Sequence, residues 1–154
     1  MVGITAMKTS TMHLPDGIIL FAHGSRDPLW RGPIEAVAAR IRAEHPKQPV
    51  TCAYLELCEP SLPDAAAAMI SQLQIAIHSI ALHADSMPTK GANALKIRIV
   101  PMFLGMGKHA REDLPELAAV LRSAHPQVEF EITSTVGEDS RVTALLAQIA
   151  SGSM

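Results

Sequence analysis

Apolar and polar positions along this chain switch between two spacings, and the switching predicts an alternation of strands and helices. The first apolar run, Gly17-Ile-Ile-Leu-Phe-Ala22, is unbroken, as a strand buried on both faces requires. Behind Pro33, residues Ile34, Val37, Ala38 and Ile41 fall at i, i+3, i+4 and i+7, the pattern of an amphipathic helix. His45-Pro46 stops it, because a residue before proline avoids the helical region. Residues 50–55 read as a second strand. Ser61 and Asp64, three apart before an alanine-rich run, mark the next helix start, with Ala66, Met69, Ile70 and Leu73 on its buried face. A third strand is expected over residues 97–104, hydrogen-bonded mainly over 97–100 because Pro101 has no N–H to donate. Leu114, Leu117, Ala118 and Leu121 repeat the helical spacing, with Pro115 near the start. Val128, Phe130 and Ile132 alternate with Glu129 and Glu131, so the fourth strand has one wet face and belongs at an edge. Val142, Leu145, Leu146 and Ile149 supply the stripe of the last helix.

This order predicts an α/β fold: a four-stranded parallel sheet flanked by helices; if the strand order is 2-1-3-4, the loops after strands one and three face each other. Residues 16–150 form the domain, 1–15 a flexible leader and 151–154 a tail. The two helices that close in His-Pro, at His45 and His125, suggest a weak internal repeat, which packing alone would also produce. Between residues 75 and 96 the periodicity fades into a helix tail and a loop containing Ser86-Met-Pro-Thr-Lys-Gly91, read as an ordinary surface insertion.

Composition narrows the function. With 48% hydrophobic and 18% charged residues over 154 positions, the chain is an ordered domain able to bury a core. Its formal charge of −2 offers no basic field for nucleic acid. Cys52 and Cys58 match neither a disulfide framework nor a C-x-x-C pair, and a reducing, cytoplasmic setting is expected. No signal peptide is recognisable, and no apolar run reaches the length expected of a membrane span. G-x-x-x-x-G-K-[ST] is absent, Gly105-Met-Gly107 does not continue into G-x-G-x-x-G, and no G-x-S-x-G elbow surrounds Ser25.

Ligands of open parallel sheets bind beyond the carboxyl ends of the strands, where the strand order reverses. Three titratable residues fall at that edge: His23 after strand one, Glu56 after strand two and His109 in the loop after strand three. Two imidazoles and a carboxylate suit a divalent ion such as Co2+, Fe2+ or Ni2+, and imidazoles also accept protons near neutral pH. Each residue alone has an ordinary structural explanation, and the case for function rests on their convergence. Ser25, Arg26, Lys108 and Arg111 are candidates to hold substrate carboxylates; as isolated polar groups they would be solvated surface. Met102 and Met106 serve either a pocket wall or the core. His45 and His125 read as helix-end residues, His78 and His83 as surface, and His13 as leader.

The segments Ile19-Leu-Phe-Ala-His-Gly-Ser-Arg-Asp27, Ala53-Tyr-Leu-Glu-Leu57 with Glu59-Pro-Ser-Leu62, and Val100-Pro-Met-Phe-Leu-Gly105 running into Gly107-Lys-His-Ala-Arg-Glu-Asp-Leu-Pro115 resemble the short-form sirohydrochlorin cobaltochelatases, the CbiX family. The resemblance covers residues 18–149. It implies half of a chelatase fold, flavodoxin-like, and ATP-independent insertion of Co2+ into sirohydrochlorin for cobalamin biosynthesis. Iron or nickel insertion, or a non-catalytic tetrapyrrole or metal carrier, are the alternatives. It further implies His23 and His109 as active-site histidines, Glu56 as a metal-binding carboxylate, a homodimer, and no permanently bound cofactor. The 75–96 stretch is longer than the family pattern suggests.

Overall fold

In the computed structural model of the chain, residues 14–83 and 94–153 are described. Residues 1–13 of the expected leader and residues 84–93 of the 75–96 stretch lie outside them. Strands β1 (Gly17–Ala22), β2 (Val50–Tyr54), β3 (Leu95–Pro101) and β4 (Val128–Ile132) alternate with helices α1 (Gly32–Glu44), α2 (Leu62–His83), α3 (Lys108–Ala124) and α4 (Ser140–Ser151). All strand pairs are parallel, in the order β2-β1-β3-β4.

The pleat divides the core in two. Ile19, Phe21, Ile97, Ile99, Val128 and Phe130 point to the face covered by α2 and α3, meeting Leu62, Ala66, Met69, Leu114 and Leu121. Leu20, Ala22, Val50, Cys52 and Tyr54 point to the other face, against Ala38 of α1. Phe21, Ile19, Ile97 and Ile99 are fully buried, each contributing about 1.5–3 kcal/mol through removal of its side chain from water. The continuous apolar run of β1 follows from its place inside the sheet. Pro101 is tolerated at the end of β3, where the chain continues by donating the Met102 amide to the Phe21 carbonyl at 2.7 Å.

Local signals behave largely as their chemistry dictates. The Ser61 hydroxyl accepts the Asp64 amide at 3.3 Å and donates to its carboxylate at 2.6 Å, capping the first turn of α2. His45 and His125 adopt nearly the same backbone angles, φ −131° and −132°, as they close α1 and α3. Arg42 and Arg122 then reach the Val50 and Phe130 carbonyls at 2.9 and 3.4 Å, so β1-α1-β2 and β3-α3-β4 repeat one local design.

Four expectations need correction. The third strand starts at Leu95, earlier than read. Helix α3 starts at Lys108, so His109 stands in its first turn rather than in a loop, and Pro115 lies in the helix interior. Helix α2 is long and apolar enough, by length and composition, to cross a membrane; here Ala65, Ala66, Met69, Ile70 and Leu73 bury one side of it in the core. Finally, α4 forms but covers no core: none of its residues is buried, and Leu145, Leu146 and Ile149 are exposed. The sheet face it would have covered is charged. There Lys96 pairs with Glu129 and Glu131, each at 3.5 Å, and Arg98 with Glu131 at 3.1 Å, leaving little apolar surface for a helix stripe to meet.

Candidate active site

Helix α1 lies on one face of the sheet while α2 and α3 lie on the other. The strand order therefore reverses between the neighbouring strands β1 and β3, and ligands of open parallel sheets bind beyond the carboxyl edge at such a point. His23 follows β1 directly at that edge and is half-buried. Its ring meets Phe103 from the β3–α3 connection, edge to face, with centroids 5.0 Å apart and planes at 74°. Phe103 is in turn buried against Phe21, centroids 5.9 Å apart at 89°. One side of the imidazole is thus fixed by an aromatic wall, and the rings of His23 and His109 make no hydrogen bond among the described residues.

Glu56 is brought to His23 through the backbone. The Leu55 and Glu56 amides donate to the Ala22 and His23 carbonyls at 2.9 and 3.0 Å, extending the β1–β2 ladder into the loops. Gly24 makes this approach possible. Its φ is +96°, and a Cβ there would lie 1.9 Å from the Glu56 carbonyl oxygen, so only glycine fits. The Glu56 side chain is exposed. Leu57 follows with φ 66°, a conformation that costs a residue with a Cβ about 1–2 kcal/mol.

His109 is exposed in the first turn of α3, whose N-cap, Gly107, supplies no side chain to the free helix amides. The loop before it is strapped from behind. Thr135, itself buried, donates its hydroxyl to the Pro101 and Phe103 carbonyls, and the Gly137 amide donates to the Phe103 carbonyl at 2.9 Å. A Cβ on Gly137 would lie 1.8 Å from the Leu104 carbonyl oxygen. Phe103 and this strap were missed by sequence reasoning. The available signal was a glycine in the short turn after β4 and one of only three phenylalanines standing beside the glycine-rich loop.

The sequence-predicted set is therefore gathered along one edge without being closed into a cage. Among the described residues, no three His, Cys, Asp or Glu side chains are grouped as ligands of one ion. Ser25 accepts the Asp27 amide at 3.1 Å, and Asp27 caps the following turn through the Leu29 amide at 2.9 Å. Lys108 pairs loosely with Glu112 at 3.8 Å. The exposed side chains of Arg26 and Arg111 make no ion pair among the described residues. Cys52 is buried and Cys58 half-buried, both as free thiols. Burial pushes the Cys52 thiol up from its usual range and the Tyr54 hydroxyl up to about 12. A hollow of about 680 Å³ lies at the opposite edge of the sheet, lined by Leu14, Pro49, Leu73, Ile77, Ile80 and Leu95 among others. It adjoins segments outside the described residues, and its lining offers none of the site residues.

The family model described as CbiX matches residues 17–152. A sirohydrochlorin cobaltochelatase of Methanococcoides burtonii is 29% identical over 101 residues, 66% of this chain and 62% of that protein. A sirohydrochlorin ferrochelatase of Priestia megaterium is 28% identical over 144 residues, 91% of this chain and 45% of that protein. The chain thus spans about three fifths of the first relative and under half of the second. The crystal structure of a CbiX protein assigned to cobalamin (vitamin B12) biosynthesis in Marinobacter aquaeolei is similar with a TM-score of 0.65 and 26% identity, covering 90% of this chain and 96% of that one.

Proposed function

The chain belongs to the CbiX family, and on that premise we propose that it inserts a divalent metal into sirohydrochlorin without ATP. The observation that supports the reading is that His23 and His109, whose rings make no hydrogen bond among the described residues, both stand just beyond the carboxyl ends of neighbouring strands β1 and β3. Insertion exchanges two pyrrole N–H protons for one M2+, so the site must accept protons and deliver an ion that is shedding water. One imidazole takes the two protons in turn, passing the first to solvent water before accepting the second, while the other imidazole, with Glu56, holds the incoming metal. Arg26, Arg111, Lys108 and Ser25 hold the carboxylates at the macrocycle's periphery, and the open first turn of α3 adds backbone donors.

Cobalt is the metal we favour, since the Methanococcoides burtonii relative is a cobaltochelatase; iron remains the alternative because the Priestia megaterium relative is a ferrochelatase. Nickel is the third option on ligand chemistry alone. We further propose a homodimer in the cytoplasm. The chain spans 45% of the ferrochelatase relative, and the exposed stripe of Leu145, Leu146 and Ile149 is an apolar surface that a second copy would cover.

Parallel anaerobic assays with Co2+, Fe2+ and Ni2+, following the absorbance of sirohydrochlorin, test the activity and rank the metals. Binding of the tetrapyrrole with no acceleration over the protein-free rate for any metal would instead make the chain a carrier.

A further inference from the structure

Leu57 combines features seldom found together in a loop residue. Its φ of 66° is left-handed, which a bulky side chain avoids, yet the side chain is 53% exposed, so burial offers little compensation. The loop around it is tied on both sides. The amides of Leu55 and Glu56 bond the β1 end, the Tyr54 amide donates to the Pro60 carbonyl at 2.9 Å, and the Ser61 amide donates to the Glu59 carboxylate at 3.0 Å. A solvent-facing leucine kept in a conformation that asparagine or glycine adopts readily is the kind of outlier that collects at ligand sites. The sheet order adds position. The β2–α2 loop lies on one side of the β1 end and the β3–α3 loop on the other, and the second carries Leu104, 67% exposed. His23 is therefore flanked by loops that each present a leucine to water.

We propose that Leu57 and Leu104 are substrate-positioning residues, forming the apolar bracket on either side of His23 against which the flat conjugated macrocycle rests. This rests on the chelatase reading and deepens it, by naming what selects a broad apolar ring over a small charged metal complex. The faces of the macrocycle are apolar and its carboxylates lie at the rim. Covering a leucine removes water from both partners while the charged periphery stays wet.

The test is a fluorescence titration of metal-free sirohydrochlorin, joined to insertion kinetics, on Leu57→Asn, Leu104→Asn and the conservative Leu57→Met. Asparagine tolerates the left-handed backbone, so Leu57→Asn should melt at or above the wild-type temperature. Its dissociation constant and KM for the tetrapyrrole should nevertheless rise about tenfold, with kcat and the KM for Co2+ little changed. Leu104→Asn should weaken the tetrapyrrole similarly, and Leu57→Met should behave as wild type. Tetrapyrrole affinity within about twofold of wild type in both asparagine variants of an enzyme that metalates normally would overturn the proposal alone, since so small a change carries almost no binding energy. A wild-type protein that neither binds nor metalates the tetrapyrrole would bring down the chelatase reading, and this inference with it.

Discussion

Replacing Gly24 by alanine should damage the site from within its backbone. The added methyl would stand 1.9 Å from the Glu56 carbonyl oxygen and 3.2 Å from the Cys58 sulfur. Reaching ordinary contact at about 3.4 Å requires the two loops to part by about 1.5 Å, and the obstructing atom is backbone, which cannot swing aside. That movement breaks the bond from the Glu56 amide to the His23 carbonyl, 3.0 Å in the native loops. Left-handed strain of about 1–2 kcal/mol and overpacking of about 1–3 kcal/mol then oppose folding together. We expect the urea midpoint to fall by an amount equivalent to about 2–5 kcal/mol. The catalytic loss should be larger than instability explains. A displacement near 1 Å of a reacting group costs on the order of a hundredfold in rate, so kcat for insertion should drop by about two decades in protein that is still folded at assay temperature. Gly24→Ala protein with native stability and native kcat would refute the close-approach argument and the positioning role given to it.

Phe103→Leu keeps most of the buried volume but removes the ring that meets His23 at 5.0 Å. Stability should change by less than about 1.5 kcal/mol, while kcat falls and the KM for metal stays near native; an unchanged kcat would deny Phe103 a part in orienting the imidazole. Burial holds the Tyr54 hydroxyl up at about 12, above its unfolded value of about 10. Its contribution to stability is therefore full below pH 10 and is lost as pH rises through 12, because only the unfolded chain ionises in that window. Urea midpoints taken across that range should decline in the native protein and less steeply in Tyr54→Phe. Glutamates in place of Leu145 and Ile149, both exposed on α4, should leave circular dichroism intact and turn a dimer into a monomer by sedimentation; a native protein that is already monomeric would contradict the pairing.

Much of the fold was legible because burial writes itself into periodicity. An unbroken apolar run marked β1 as internal, and the alternation of Val128, Phe130 and Ile132 with glutamates marked β4 as an edge. The same rule misled at α4. An apolar stripe announces a helix but does not name its partner, and the charges of Lys96, Arg98, Glu129 and Glu131 on the facing sheet were the signal against packing. The first turn of α3 escaped notice because Lys108-His-Ala-Arg-Glu-Asp113 is mostly polar and carries no stripe of its own. Within the site, His23 and Glu56 could be placed from strand ends alone. Phe103 could not, because its contact with His23 arises beyond the end of β3, where strand alternation no longer tells which way a side chain points. Nor could the left-handed Leu57 be read, since leucine carries no signal for that conformation.

The central claim is that His23 and His109 act as one unit on one substrate. A double-mutant cycle on cobalt insertion measures this directly, using His23→Ala, His109→Ala and the double variant, each checked for native circular dichroism. Residues that work together in one step are strongly non-additive, so each single variant should lose nearly all activity above the spontaneous rate and the double variant little more. Near-native turnover in either single variant, or partial losses that simply multiply in the double, would contradict the account.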